Sequence, residues 1–312
     1  MYDFIIVGGG MSGLSAAMYG TRLGLKTLTI AEMPGGLITT THLVENWPGI
    51  KSISGPELAN NMIEHAKASG AEIKSARVQS IEKLESPDDS PRYKVKTASE
   101  EFECKTVMIS TGTKHRKLGI PGEKELENKG VSYCALCDGG FFRDKIVAVV
   151  GGGDSAAKEA IFLSEHCKKV YIVVRRDVLR AEPINAERIA QNDKIEILYK
   201  TELEEILGTD KVEKVRFQEG TGGEMAGQEL ELDGVFMAIG HIAQTDIAKE
   251  LGVELNEKGE IKINRRSETN LKGVFAAGDC CDTGFKQAIT GSAEGVTASY
   301  YAYHVCQSGA AF

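Results

Sequence analysis

The chain lacks any apolar run approaching the ~20 residues that a membrane-spanning helix needs. It also lacks a basic, long apolar or cleavable segment at its N-terminus. The first residues run straight into Asp3-Phe4-Ile5-Ile6-Val7, a strand pattern, so no signal peptide, no membrane partner and a cytoplasmic location are expected. Positive charge is not in excess. Lys and Arg number 37 against 45 Asp and Glu, and the net charge of −8 argues against nucleic acid as the main partner. Cysteine is sparse too: seven, an odd number, fits poorly with a disulfide scaffold, so a closely spaced pair points to catalysis or metal binding. What remains is 312 residues, 42% apolar with 35 glycines, which suits an α/β protein of two domains with many tight turns.

One architecture is written twice. Asp3 to Val7 reads as a strand, Gly8 to Gly13 as a glycine-rich turn, Ser12 to Leu23 as a helix and Lys26 to Ala31 as a parallel strand. The pattern restarts with a strand at Lys145 to Val150, the turn Gly151-Gly152-Gly153-Asp154-Ser155-Ala156, a helix from Ser155 to His166 and a strand from Val170 to Val174. Between these units the spacing predicts an amphipathic helix over Ser54 to Ser69. An antiparallel meander follows over Val78–Leu84, Tyr93–Thr97 and Phe102–Cys104, with a turn at Pro87-Asp88-Asp89. Further strands are expected at Val107–Ser110, Glu204–Leu207, Val212–Gln218, Glu229–Leu232, Gly234–Ile239, Ile261–Asn264 and Val274–Ala277, before a long helix from about Lys286. Chain order alone leaves open whether the tail belongs to the first or the second unit.

A glycine turn between strand and helix lets a pyrophosphate approach backbone N–H groups at the positive end of the helix dipole. Glycine triplets also serve ordinary turns, but both of these fall at the strand-to-helix junction that dinucleotide binding requires. The ends of the second strands separate the two sites. Glu32 stands twenty-four residues after Gly8, placed to accept hydrogen bonds from a ribose diol. Arg175 stands twenty-four residues after Gly151, followed by Arg176 and Arg180. Three arginines in six residues also describe a solvated basic turn, yet their matching offset favours a 2′-phosphate and hence NADPH. The first site is compatible with FAD or NAD. Thr111-Gly112 closing a later strand and Asp279 following another favour FAD.

Cys134 and Cys137 admit three readings: buried packing, zinc ligation, or a redox disulfide. Zinc would need two further Cys or His at suitable spacing, and the adjacent Cys280-Cys281 is a poor chelator, so no metal is expected. A two-residue spacing just ahead of a helix start suits dithiol–disulfide exchange. Cys104, Cys167 and Cys306 read as packing residues, and His241 and His304 as structural.

Taken together these motifs resemble the low-molecular-weight, NADPH-dependent thioredoxin reductases, class II pyridine nucleotide-disulfide oxidoreductases, over essentially the whole chain. The matching residues are Gly8–Gly13, Gly35-Gly36, Val44–Gly49, Cys134–Asp138, Gly151–Ala156, Arg175-Arg176 with Arg180, Ala276–Asp279 and Gln287-Ala288-Ile289. The resemblance implies an α/β fold of two Rossmann-like three-layer domains. A FAD-binding domain would span 1–113 and 246–312, with an NADPH-binding domain inserted at 114–245. It implies FAD contacts from Gly8, Gly10, Ser12, Gly13, Glu32, Gly36, Leu37, Asn46, Thr111, Gly112, Asp279, Lys286, Gln287 and Ala288. NADPH contacts would come from Gly151, Gly153, Asp154, Ser155, Ala156, Arg175, Arg176, Arg180, Ile239 and Gly240. It further implies a homodimer that reduces thioredoxin or a thioredoxin-like protein, with Cys137 next to the flavin, Cys134 attacking the protein substrate and Asp138 handling the proton. Asp138 also reads as an N-cap for the following segment, and the two roles are compatible.

The chain departs from the family pattern at Leu37, often Gln, at Val174, often His, at Lys158, often an acid, and at Lys286, often Arg; Cys280-Cys281 is unusual. Rival readings are a flavin reductase fed by ferredoxin, a dithiol oxidase for a small metabolite, and a non-catalytic redox sensor. None of them requires the arginine cluster beside an intact Cys-x-x-Cys-Asp set. With nicotinamide and disulfide on one inserted domain, both cannot meet the flavin together, so a hinge near Thr113-Lys114 and Gly240–Ala243 is expected. A crosslink between the domains should stop turnover while sparing one half-reaction, measured by stopped-flow flavin absorbance; unchanged turnover would sink the hinge.

Overall fold

The computed structural model describes residues 1–86 and 90–308, so the turn expected at Pro87-Asp88-Asp89 lies outside the described residues. The chain divides into two compact units, Met1–Lys114 with the segment from Ala243 onward, and His115–Ile242. Among the described residues no helix is long and apolar enough to cross a membrane.

In the first unit a parallel core runs in the order Glu72–Ser75, Thr27–Ala31, Tyr2–Val7, Glu101–Ile109, with Val274–Ala276 also pairing with the last of these. Strand Tyr2–Val7 is apolar at successive positions because both faces are covered. Ile5 and Val7 join one buried cluster with Tyr93 and Ile261, while Phe4 and Ile6 join another with Leu14, Ala17 and Ala298. The meander forms as expected, except that Phe102–Cys104 and Val107–Ser110 are one strand, Glu101–Ile109. Its first half pairs antiparallel with Tyr93–Lys96, and its second half pairs parallel with Phe4–Val7. Lys105 and Thr106, between the two expected segments, are satisfied in place. Thr106 donates to the Asp3 carbonyl at 2.8 Å, and Lys105 pairs with the Asp3 carboxylate at 2.8 Å.

Helix Met11–Arg22 follows the first glycine turn. Helix Gly55–Ala68 starts where Ser54 caps it, accepting from the Glu57 N–H at 3.2 Å, with proline in its first turn. The C-terminal helix begins at Ala288 and packs along Met11–Arg22. Small residues allow this approach: Ser299 donates to the Ala16 carbonyl at 2.9 Å, and a Cβ on Gly295 would lie 2.2 Å from the Ser12 carbonyl oxygen. The strand expected at Ile261–Asn264 does not form. Ile261 makes only isolated bridges to Leu255 and Cys281, and the Asn264 side chain instead accepts from the Arg266 and Glu268 amides to close a turn.

The second unit holds a parallel sheet in the order Ile195–Tyr199, Lys169–Val174, Ile146–Val150, Gly234–Met237, Val131–Ser132. Helix Asp154–Ser164 covers it, and a separate antiparallel sheet of Leu203–Leu207, Lys214–Phe217 and Glu229–Glu231 completes the unit. Thr113–His115 and His241–Ala243, in the two connections, pair as a short ribbon.

Replacing Gly295 with alanine should destabilise the chain by about 1–3 kcal/mol, since the methyl must displace backbone rather than a flexible side chain. Urea unfolding read by far-UV circular dichroism measures it, and an unchanged midpoint would mean the two helices are not held at this distance.

Candidate active site

Cys134 and Cys137 form a disulfide with Cα atoms 5.3 Å apart. Strand Val131–Ser132 delivers them, and the Ser132 hydroxyl accepts from the Cys134 N–H at 3.1 Å. Cys134 then caps the four-residue helix Ala135–Asp138, its Sγ accepting from the Cys137 N–H at 3.1 Å. That amide would stabilise a thiolate on Cys134 once the disulfide opens. Cys134 is half-buried and Cys137 exposed, while Ala135 anchors the turn in the second unit's core. Asp138 directly follows Cys137, and its carboxylate makes no capping hydrogen bond to the segment beyond it. The side chain thus makes no capping bond at the turn it begins.

In the first unit, Gly8 has φ +110°, and a Cβ there would sit 2.2 Å from the Ser110 carbonyl oxygen. A Cβ on Gly13 would meet the Gly8 carbonyl at 2.0 Å, so strand, turn and helix pack with no room for side chains. No side chain caps the helix at Gly10, which leaves first-turn N–H groups for an anion. Ser12 is buried in this turn, and Gly36 packs against Gly10. Glu32 follows strand Thr27–Ala31 and is exposed, with the Arg77 side chain 3.9 Å away. Asp279 is half-buried, and desolvation raises its pKa against the opposing charge of Lys286. Lys286 donates to the Asp279 carbonyl at 2.9 Å and pairs with Glu260. Asn46 donates to the Gln287 side chain at 3.1 Å, just ahead of Ala288. Thr111 and Gly112 are tied to Gln244, whose carbonyl accepts from the Thr111 hydroxyl at 2.5 Å and whose N–H reaches Gly112 O at 2.9 Å. Leu37 lies in the short 3-10 turn Gly36–Thr40 and offers a ligand no side-chain polar group. An uncapped helix start, a crowded glycine turn and a desolvated carboxylate together fit a dinucleotide such as FAD.

In the second unit, Gly151 has φ +156°, and a Cβ there would clash with the Ala238 carbonyl at 2.2 Å. Ala156 is fully buried beneath it and Ser155 is exposed at the helix start, which again has no side-chain cap at Gly153. Arg175, Arg176 and Arg180 are all exposed, and no carboxylate pairs with them among the described residues. The Arg180 N–H donates to the Gly152 carbonyl at 2.8 Å, which fixes the arginine segment beside the turn. Three free guanidinium groups beside an uncapped helix start fit a phosphorylated ribose. Ile239 and Gly240 follow strand Gly234–Met237. Val174, at the position the family often gives to His, is buried, with Cγ1 2.9 Å from where a Gly152 Cβ would stand.

Asp154 is engaged within the protein. Its Oδ1 accepts from the Glu182 N–H and the Asn185 amide, each at 2.8 Å, while Oδ2 pairs with Lys158 at 2.7 Å. These contacts hold its pKa low against desolvation. The carboxylate thus ties the start of the first helix to the segment that opens the next one. Cys280 and Cys281 are wholly buried, their sulfurs 4.0 Å apart. Among the described residues no group of three or more His, Cys, Asp or Glu could hold a metal. No motif in the sequence marks Glu159: on helix Asp154–Ser164 its Oε2 is shielded from water without a hydrogen-bond partner among the described residues. Desolvation pushes its pKa up to about 8.

A family model described as pyridine nucleotide-disulphide oxidoreductase matches residues 2–295. The chain belongs to this family. The thioredoxin reductase of Bacillus subtilis (strain 168) is 42% identical over 307 residues, 97% of this chain and 94% of that protein. A solved thioredoxin reductase of Lactococcus lactis superposes with a TM-score of 0.92 at 37% identity, covering 98% of this chain and 99% of that one. That of T. acidophilum gives 0.91 at 35%, covering 97% and 98%. Pyridine nucleotide-disulphide oxidoreductase chemistry thus has its cysteine pair and two nucleotide-type turns in this chain.

Glu159 carries a stability prediction. A folded-state pKa above the ordinary 4.5 means its contribution is complete below pH 4.5 and is lost as pH rises through about 8. Glu159→Gln should remove that loss, so the variant gains on the parent between pH 5 and 8.5 by up to several kcal/mol, at ~1.4 kcal/mol per pKa unit. Urea unfolding across that range measures it, and parallel pH profiles would rule out a buried neutral carboxyl.

Proposed function

We propose that this chain is an NADPH-dependent thioredoxin reductase that acts as a cytoplasmic homodimer on thioredoxin or a thioredoxin-like protein. The observation that carries the reading is the Cys134–Cys137 disulfide within the unit whose glycine turn lies beside three arginines that pair with no carboxylate among the described residues. The first unit is the FAD-binding domain, in which Gly8–Gly13 would hold the pyrophosphate and Asp279 the ribityl chain. The second is the NADPH-binding domain, with Arg175, Arg176 and Arg180 on the 2′-phosphate. When bound, FAD would supply two-electron transfer between NADPH and the disulfide.

The chain's own groups then complete the exchange. The opened pair leaves a thiolate on Cys134, favoured by the Cys137 N–H. Cys134 attacks one sulfur of the substrate disulfide, forming a mixed disulfide and releasing the other substrate sulfur as a thiolate. Cys137 attacks Cys134, re-forming the intramolecular disulfide and releasing the second substrate thiolate. Asp138, adjacent to Cys137 and free of capping duty, relays the proton between the exchanging thiols and water.

Anaerobic titration with NADPH should bleach the flavin absorbance, and added oxidised thioredoxin should restore it. No bleaching, with bleaching by reduced ferredoxin instead, would replace the donor. Removing Arg175 and Arg180 together should raise KM for NADPH about tenfold or more, since a hydrogen bond to a charged group contributes ~1.5–3 kcal/mol, and leave KM for NADH nearly unchanged. Equal losses for both nucleotides would remove the 2′-phosphate role.

A further inference from the structure

Two imidazoles meet where the chain enters and leaves the second unit. His115 ends the strand Thr113–His115, His241 begins the strand His241–Ala243, and the two strands pair. The ring centroids lie 4.9 Å apart with the planes tilted by 43°. The adjacent backbone is fixed by the Arg116 N–H, which donates to the Gly240 carbonyl at 2.9 Å. His115 is half-buried and His241 exposed, so solvent and small ions reach the pair.

The separation is the informative quantity. A tetrahedral zinc ion with Zn–N bonds of about 2.0–2.1 Å holds the centroids of two ligating imidazoles about 5 Å apart. The rings already stand at that separation. Desolvation lowers the pKa of both imidazoles, and the neighbouring His241 lowers that of His115 further. His115 is also held from its other side. Its ring lies 5.8 Å from that of Tyr133, whose hydroxyl donates at 2.9 Å to the buried Glu123 carboxylate. Glu123 also accepts from the Leu118 and Gly119 amides, which anchors the tyrosine. One ligand is thus positioned by the fold, and the other lies open on the facing strand.

We propose that His115 and His241 form a two-imidazole site for a borderline divalent cation of zinc's class, bridging the two connections. No third protein ligand joins them among the described residues, so water fills the remaining positions and the ion exchanges freely. Lys114 and Arg116 flank His115 in the chain, and their charge sets the affinity below that of a closed four-ligand site. Occupancy ties the strand entering the second unit to the strand leaving it. That makes the ion a brake on any rearrangement through these connections, a consequence that rests on the proposed reductase cycle, whereas binding itself does not.

The test titrates Zn²⁺ into the flavin-loaded, oxidised protein by calorimetry at pH 7.5, without NADPH. Keeping Cys134–Cys137 as a disulfide stops its thiolates from competing. One ion per chain is expected, with H115A and H241A each weakening binding at least about tenfold, the low end of what loss of even an outer-shell partner costs. H304A should bind as the parent does. Parent-like affinity in both H115A and H241A, or no binding by the parent, overturns the site. Should H115A fail to fold by its flavin spectrum, H241A carries the test, because His241 is exposed. Since no hydride donor is present, a failed NADPH titration leaves this result intact.

Discussion

The close backbone approach at the first glycine turn is the constraint on which the first unit depends. A helix can start directly over a strand end only if nothing projects from Gly8 or Gly13, because a Cβ on either would lie 2.0–2.2 Å from a carbonyl oxygen. That same approach leaves the helix start without a side-chain cap and so ready for an anion. The C-terminal helix then lies against the same turn, with Ser292 donating to the Met11 carbonyl at 3.3 Å. Distant parts of the chain are held at one point by backbone contact rather than by bulk.

The second unit repeats the device and alters its surroundings. Gly151 crowds Ala238, Arg180 is bonded to Gly152, and Asp154 spends its carboxylate on the helix that follows. Lys158, which departs from the family pattern, has a physical role here: it neutralises Asp154 one turn away. Val174 likewise fills space beneath Gly152 where a histidine is common. Both departures are repacking around an unchanged turn, and the three arginines stay exposed.

Much of this was legible because the decisive signals are local. A contiguous apolar run, a glycine triplet and a helix pattern sit next to one another in each unit, and Glu32 or Arg175 follows at a set offset. Elements failed where the signal was not local. Ile195–Tyr199 and Glu72–Ser75 are partly exposed edge strands with diluted alternation. Glu101–Ile109 looked broken because the partner of its polar residues, Asp3, lies far away in the chain. Ile261–Asn264 looked like a strand because of its apolar residues, yet Ile261 serves the core while Asn264 closes a turn.

The amino-acid order by itself determined two nucleotide-type turns, their difference in charge, and a cysteine pair spaced for exchange. Short-range sterics and valence fix all three. Only the tertiary structure decided that Asp154 faces protein, that Glu159 is shielded without a partner, and that His115 meets His241. Each of those depends on which surfaces come together when the sheet closes, and no window along the chain contains that information.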